Sequence, residues 1–166
     1  RIWPVNGKFD KAQTALYNFI VAYRDALFKY IKPGLTANEV LDKAAKDMKK
    51  YVASAKFVKP SHLKAVQEGL VFRGHFQHPV GMAVHDVGRV RGNIKLRPGM
   101  VFTIDPMIWL RDERLYIRIE DMAVVTETGV ENMSAFVPSS IKDVERTIKE
   151  KGLTEFRPPT ALPLKE

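Results

Sequence analysis

Two runs of sequence decide the fold of this protein: VFTIDPMI at residues 101–108 and LYIRIEDMAVV at residues 115–125. Both are short and rich in β-branched and aromatic residues, and a charged cluster at residues 111–114 separates them. A Pro-Gly pair at residues 98–99 provides a further turn signal before the first run. This pattern is typical of antiparallel strands joined by turns. The chain after Gly69 is therefore predicted to be mostly sheet.

The first half of the chain carries helical patterns instead. Asp10 with Gln13, and Thr36 with Glu39, each form a capping-box signal, in which a short polar residue precedes Gln or Glu by three positions. Apolar residues then recur every three or four positions, which predicts two amphipathic helices. A Lys-Pro-Gly sequence at residues 32–34 ends the first of them.

Weaker signals predict two more helices. We expect Ser61 to cap a short third helix that ends near Gly69, and Ser139 or Ser140 to cap a last helix over residues 141–151. Three prolines in the tail prevent that helix from continuing, namely Pro158, Pro159 and Pro163. Helices, then strands, then a helix indicate an α+β fold with helices packed on a curved antiparallel sheet.

Composition limits the class of protein. The 166 residues, 45% of them hydrophobic, fit one globular domain, and no apolar run approaches the roughly 18 residues of a membrane span. Cysteine is absent, so any metal must be held by His, Asp and Glu. The chain opens on Arg1 with neither an initiator Met nor a signal peptide, so we expect a piece of a longer protein. The compartment stays unknown, with the cytoplasm favoured.

The net charge of +8 is concentrated in the helical half. Residues 1–69 hold 13 Lys and Arg against 6 Asp and Glu, whereas residues 70–166 hold 14 against 13. Most of the early lysines fall at polar positions of amphipathic helices, and no aromatic residues interleave with them as in single-strand binding proteins. We therefore expect no nucleic-acid partner.

Three of the four histidines fall within eleven residues, at His75, His78 and His85. Any one of them alone is more often a hydrogen-bonded side chain near a strand than a metal ligand. Pro79 and Gly81 disfavour a helix here, so His78 and His85 would meet through a loop-to-strand passage.

Two carboxylates, Asp105 and Glu120, lie inside the apolar strand-like runs. A buried carboxylate needs a cation or several hydrogen-bond donors. Strand alternation places Tyr116, Arg118 and Glu120 on one face, so a buried ion pair with Arg118 is one interpretation. The other is a metal site, because an imidazole and two strand carboxylates suit Mn, Zn, Co or Fe.

Three ordered blocks resemble a known family. HPVGMAVHD at residues 78–86, PGMVFTIDP at 98–106 and RIED at 118–121 look like the C-terminal catalytic half of the proline-specific metallopeptidases, aminopeptidase P and prolidase, which have the pita-bread fold. The opening RIWPVNGKF at residues 1–9 is similar to the stretch that follows the family's first metal-ligand strands. The resemblance implies that residues 1–166 are the C-terminal portion of a single catalytic domain.

The resemblance also implies a metal centre. His78 and Asp105 would be ligands, and Glu120 would bridge two divalent ions, with Mn expected and Zn, Co or Fe as alternatives. Asp105, or alternatively Glu120, would in addition move the proton from the attacking water to the leaving prolyl nitrogen. Arg118 would organise the carboxylates.

Two histidines are implied to act beside that centre. His85 would contact the substrate and stabilise the tetrahedral intermediate, and His75 would bind substrate or support a neighbouring residue. The family usually has Glu at Asp105, and many members have His or a small residue at Gly74. Two further aspartate ligands of the family lie on strands before the segment that residues 1–9 match.

The predicted function is metal-dependent hydrolysis of the Xaa-Pro bond at the N-terminus of peptides or in dipeptides, with the upstream segment needed for a complete site. The chain alone is predicted to be inactive. The expected partners are the Xaa-Pro peptide, the missing N-terminal half of the domain and further copies of the full protein. Two alternatives are a non-catalytic pita-bread module that binds peptides, histone-like tails or RNA, and a methionine aminopeptidase-like enzyme. The VHD and PVNG matches, at residues 84–86 and 4–7, favour the proline-specific branch.

Overall fold

The computed structural model describes residues 1–152, so the three tail prolines lie outside the described residues. In this part of the chain there are four α-helices, six β-strands and one 3₁₀ turn, Arg111–Glu113. The elements are α1 (Lys11–Tyr30), α2 (Ala37–Ser54), α3 (Pro60–Val71), β1 (Phe76–Pro79), β2 (Val101–Ile104), β3 (Met107–Leu110), β4 (Leu115–Arg118), β5 (Asp121–Val125), β6 (Val130–Asn132) and α4 (Ile141–Thr147). Within residues 1–152, none of the helices is long and apolar enough to cross a membrane.

Both predicted capping boxes are confirmed. The carboxylate of Asp10 accepts from the backbone N–H of Gln13 at 2.8 Å, and the Gln13 side chain accepts from the Asp10 N–H at 3.0 Å. Thr36 and Glu39 make the equivalent pair of hydrogen bonds at the start of α2. These bonds satisfy backbone donors that the first helical turn leaves without partners.

The prediction that Ser61 caps α3 is wrong. The helix begins at Pro60, and the cap residue is Lys59, whose side chain makes no capping hydrogen bond to the first turn. Proline is favoured there because its missing N–H costs the helix nothing. The Ser61 hydroxyl instead donates to Glu113 at 3.0 Å, and α3 continues two residues past Gly69.

The last helix is shorter than predicted. Ser140, the second of the two proposed cap residues, accepts from the Asp143 N–H at 3.1 Å. The helix ends at Thr147 rather than Lys151, because the next backbone N–H groups bond three residues back: that of Lys149 to Arg146 and that of Glu150 to Thr147. Such bonds tighten the end of a helix and close it.

Each of the two predicted strand runs is divided in two. The first run contains β2 and the start of β3, and the second contains β4 and β5. Strand β2 pairs antiparallel with β5, and β3 pairs antiparallel with β4. Thr103 opposes Met122 in one pairing and Met107 opposes Arg118 in the other, so a single register runs through both. The N–H of Ile119 still donates to Pro106 O at 3.2 Å between the pairs. The two runs are therefore one long hairpin interrupted once, and we call residues 105–106 and 119–120 the bend.

Pro106 gives the reason for the interruption. It has no N–H, so it removes one hydrogen bond from the ladder of the hairpin. Beyond it the chain leaves the four-stranded sheet, whose order is β1-β2-β5-β6, and continues as a separate two-stranded sheet of β3 and β4.

The three N-terminal helices pack on the strands around one core. Helix α1 packs along α2 and reaches β4, while α3 packs on β3. The stacked rings of Phe76 and Phe102, 5.4 Å apart, join β1 to β2 within this core. The predicted α+β class, with helices on an antiparallel sheet, is confirmed. The bend lies where the four-stranded sheet meets the two-stranded sheet.

Candidate active site

The bend brings the two predicted carboxylates together. Extending the common register by one position from the β2–β5 pairing places Asp105 opposite Glu120. Arg118, the last residue of β4, donates from Nη2 to Asp105 Oδ2 at 2.9 Å and makes a very short ion pair with Glu120. The predicted ion pair of Arg118 is therefore confirmed, but only its Asp105 partner is buried: the side chains of Arg118 and Glu120 are 31% and 35% exposed.

Asp105 is the most enclosed member of this cluster. Its side chain is 1% exposed, and its Oδ1 is buried without a hydrogen-bond partner. Burial, and after it the negative charge of Glu120, raises the pKa of this carboxyl to about 7, while Arg118 opposes both effects. Asp105 is thus a carboxyl that can exchange a proton near neutral pH.

His78 joins the cluster from β1. Its Nε2 lies 3.7 Å from Glu120 Oε1, and its Nδ1 lies 3.1 Å from the carbonyl oxygen of Pro79. The ring of His85, in the exposed loop after β1, meets the ring of His78 edge-on with centroids 4.2 Å apart. The loop passage predicted from Pro79 and Gly81 does bring these two histidines together.

His75 lies elsewhere, in the core. Its side chain is fully buried, with Nε2 2.7 Å from Gly69 O and Nδ1 3.3 Å from Asp105 O. Burial lowers the pKa of the ring, so the neutral form donates through Nε2 to Gly69. Of the two roles implied for His75, only support of a neighbour fits this position, because its own carbonyl also accepts from the Asp105 N–H at 2.7 Å.

Gly74 departs from the family pattern for a visible steric reason. A Cβ placed there would lie 2.3 Å from the Phe72 ring, which fills the space beside it. The same ring packs edge-on against His75, 5.1 Å away. A larger residue at position 74 requires Phe72 to move.

The donor set suits a divalent metal ion. An imidazole and two carboxylates face the bend, and the unpartnered Asp105 Oδ1 is the feature that a cation would explain, because buried polar atoms otherwise find partners. Within residues 1–152, no three His, Asp or Glu side chains stand close enough to hold an ion as they are placed. Arg118 draws both carboxylates toward itself. The residue types therefore fit a metal by their chemistry, and as placed the two carboxylates are paired with Arg118.

Two features near the site are not predicted by the sequence patterns. One is the ion pair of Arg1 with Asp121, the residue after Glu120, which are 120 positions apart in the chain. The other is an aromatic pair, Trp109 with Tyr116, whose ring centroids lie 5.1 Å apart. Alternation along the second run places Tyr116 on the Arg118 face, but no local signal identifies its partner on the opposite strand.

Trp109, one ring of this pair, lines a cavity of about 370 Å³ between α3 and β3. Trp109 is 52% exposed, and Met107, Phe72 and Arg111 contribute to the walls. The guanidinium of Arg111 stacks over the Trp109 ring at 4.5 Å. Its charged lining residues are Glu68 and Arg111, and an apolar cavity with a few polar groups is a common form of small-ligand site.

Comparison with known proteins defines the class. Residues 1–127 match metallopeptidase family M24. The chain is 32% identical over 164 residues to the Xaa-Pro aminopeptidase of Escherichia coli K12, covering 87% of this chain and 36% of that protein. It is 31% identical over 162 residues to Xaa-Pro aminopeptidase 3 of Mus musculus, covering 88% of this chain and 31% of the relative.

Solved structures agree with the sequences. Zinc-substituted E. coli aminopeptidase P in complex with product superposes with a TM-score of 0.69 at 29% identity, over 92% of this chain and 38% of that chain. Proline aminopeptidase P II from Yersinia pestis gives 0.67 at 32% identity, over 88% and 37%. The chain belongs to metallopeptidase family M24, and it has part of the pita-bread fold of the aminopeptidase P structures. It spans about a third of the length of the relatives it matches.

Proposed function

We propose that this chain is the C-terminal part of a metal-dependent Xaa-Pro peptidase, of the aminopeptidase P or prolidase type. The observation that carries the proposal is the convergence of His78, Asp105, Glu120 and Arg118 at the bend, with His85 beside them. These residues come from three separate stretches of sequence. Bringing charged side chains together at a partly buried position costs desolvation free energy, so a purely structural role does not explain this cluster.

His78 and Asp105 would hold one divalent ion of a pair and Glu120 would be shared by both ions, with Mn as the expected metal. A bound ion supplies Lewis-acid activation of the scissile carbonyl and an acidified water. The remaining ligands of the second ion would come from the N-terminal half of the domain, which we propose as the partner of this chain. Oligomers of the full protein and a cytoplasmic location remain predictions.

The side chains of this chain have separable tasks. Asp105, which is buried at the bend, would accept a proton from the attacking water and pass it to the leaving prolyl nitrogen. Arg118 keeps the two carboxylates at a set spacing through its hydrogen bonds. His85 is exposed and lies next to His78, so it can donate a hydrogen bond to the oxygen that becomes negative in the tetrahedral intermediate.

A second candidate function is a non-catalytic peptide-binding module. The observation that favours it is the pairing of Arg118 with both carboxylates, which offsets part of their negative charge without a metal. Such a module would bind peptides equally well with and without divalent ions.

The experiment compares this chain with a longer protein that includes the upstream segment. Both are incubated with Mn²⁺ and with matched peptides that differ only in Pro or Ala at the second position. We expect the longer protein to cleave the Xaa-Pro bond alone, chelation to stop it, and this chain to be inactive. Metal-independent peptide binding without cleavage by the longer protein would instead establish the second candidate.

A further inference from the structure

We infer that Arg1 is a positioning residue for Glu120, and that it acts through the backbone carbonyl of Glu120 and the side chain of Asp121. The inference rests on the proposed function, in which Glu120 is a metal ligand. It assigns a role at the site to a residue outside both strand runs and outside the histidine cluster.

The contacts of Arg1 meet at the start of β5. Its Nη1 donates to the carbonyl oxygen of Glu120 at 2.6 Å, and its Nη2 donates to Asp121 Oδ1 at 2.7 Å. The side chain is only 7% exposed, and Nη2 also lies 3.5 Å from the carbonyl oxygens of Ser134 and Val137. One planar guanidinium therefore holds two consecutive residues in a fixed orientation, as its forked donors allow.

Glu120 needs such support because it lies at the bend. Strand β4 ends at Arg118 and β5 begins at Asp121, so Glu120 belongs to neither ladder. Inside a strand, paired hydrogen bonds would set the direction of its side chain. At this position the bond from Arg1 to its carbonyl performs that task.

The buried charges at Asp121 argue for a function beyond stability. Its side chain is fully buried and pairs with Arg1 through one oxygen and with Arg24 through the other, at 3.3 Å. Buried ion pairs often contribute no more to stability than well-packed apolar residues of similar volume. Fixing the orientation of the neighbouring ligand gives this cluster a further role, as supporting hydrogen bonds do for metal ligands elsewhere.

Arg24 provides a matched control. It is 11% exposed and pairs with the same carboxylate, yet its described hydrogen bonds go to Asp25 and Asp121 and not to Glu120. Arg24→Met and Arg1→Met each remove one cation from Asp121. They differ in that Arg1→Met also releases the carbonyl of Glu120 and the two longer contacts to the carbonyls of Ser134 and Val137.

The test measures the affinity of the full 166-residue chain for Mn²⁺ by electron paramagnetic resonance, with thermal midpoints in metal-free buffer. We expect Arg1→Met to weaken Mn²⁺ binding about tenfold or more, the range found for residues that support metal ligands. Arg24→Met should change it by less than about twofold although both variants lower the thermal midpoint. Arg1→Lys, which keeps the charge but not the fork, should give an intermediate loss.

Other outcomes overturn the inference in distinguishable ways. Equal losses of Mn²⁺ affinity in Arg1→Met and Arg24→Met would show that the cluster acts only on stability, and the proposed function would stand. If Arg1→Met does not fold, Arg1→Lys takes its place. A folded Arg1→Lys with wild-type Mn²⁺ affinity would also show that the cluster acts only on stability. If Glu120→Ala binds Mn²⁺ as the unchanged chain does, the proposed metal site fails and the inference fails with it.

Discussion

Asp105 and Glu120 oppose each other across the bend, and a single nitrogen of Arg118 donates to both. The negative charges of the two carboxylates repel each other, and the positive charge of Arg118 opposes that repulsion. Burial disfavours the charged form of Asp105. The pairing has consequences for stability, for metal binding and for turnover, and each can be measured.

The first prediction concerns pH. The folded state raises the pKa of Asp105 from 3.8 to about 7, so between these pH values the folded chain binds more protons than the unfolded chain. The free energy of unfolding should therefore fall as pH rises from 4 to 7 because of this group. Asp105→Asn should remove that component, measured by urea denaturation with a chelator present.

Comparing the wild-type chain with Asp105→Asn isolates the contribution of Asp105 to the pH dependence of stability. His75, whose pKa is lowered by burial, gives a slope of opposite sign below pH 6.5, and it does so equally in both. Parallel stability profiles for the wild-type chain and Asp105→Asn would show that Asp105 has an ordinary pKa in the folded state.

The second prediction concerns metal ligation. His78→Ala and Glu120→Ala each remove a proposed ligand, so both should lower Mn²⁺ occupancy, with Glu120→Ala the more severe because a bridging carboxylate holds both ions. Occupancy is measured by inductively coupled plasma mass spectrometry on the longer protein. Lys142→Ala, on the distant α4, is the control and should keep full occupancy.

The third prediction separates His85 from the ligands. In the longer protein, His85→Ala should lower kcat by about 10²-fold while metal content stays near wild type, because a hydrogen bond to the developing oxyanion acts chiefly in the transition state. Steady-state kinetics beside metal analysis checks this. Metal loss as complete as that of His78→Ala would make His85 a ligand instead.

The fourth prediction concerns the shortened carboxylate. Asp105→Glu restores the residue usual in the family, so metal binding should be retained, and any change in kcat measures the effect of one methylene on proton transfer. Asp105→Ala should lose metal. A full metal complement in Asp105→Ala would show that Asp105 is no ligand.

The fifth prediction tests the helix caps. Thr36→Ala removes the hydroxyl that accepts from the Glu39 N–H, and it should lower the free energy of unfolding by about 1 kcal/mol. Ser61→Ala removes no cap and should cost less than about 0.5 kcal/mol. Urea denaturation of both variants measures the difference, and equal effects would contradict the observed start of α3.

Local sequence determined the helices and part of the site. A capping box such as Asp10 with Gln13 acts within four residues, and so it is readable without the rest of the chain. The same holds for strand alternation, which places Arg118 and Glu120 on one face because they are two positions apart. The shared face made their ion pair predictable.

The tertiary structure alone decided what depends on contacts distant in sequence. Pro106 is visible in the sequence, but that the hairpin bends there while keeping its register follows from the pairing of two runs. His75 and His78 look alike in sequence, yet one is enclosed by Gly69 and Asp105 and the other faces Glu120. These outcomes depend on which surfaces are buried against each other, a property of the packed molecule that local periodicity does not carry.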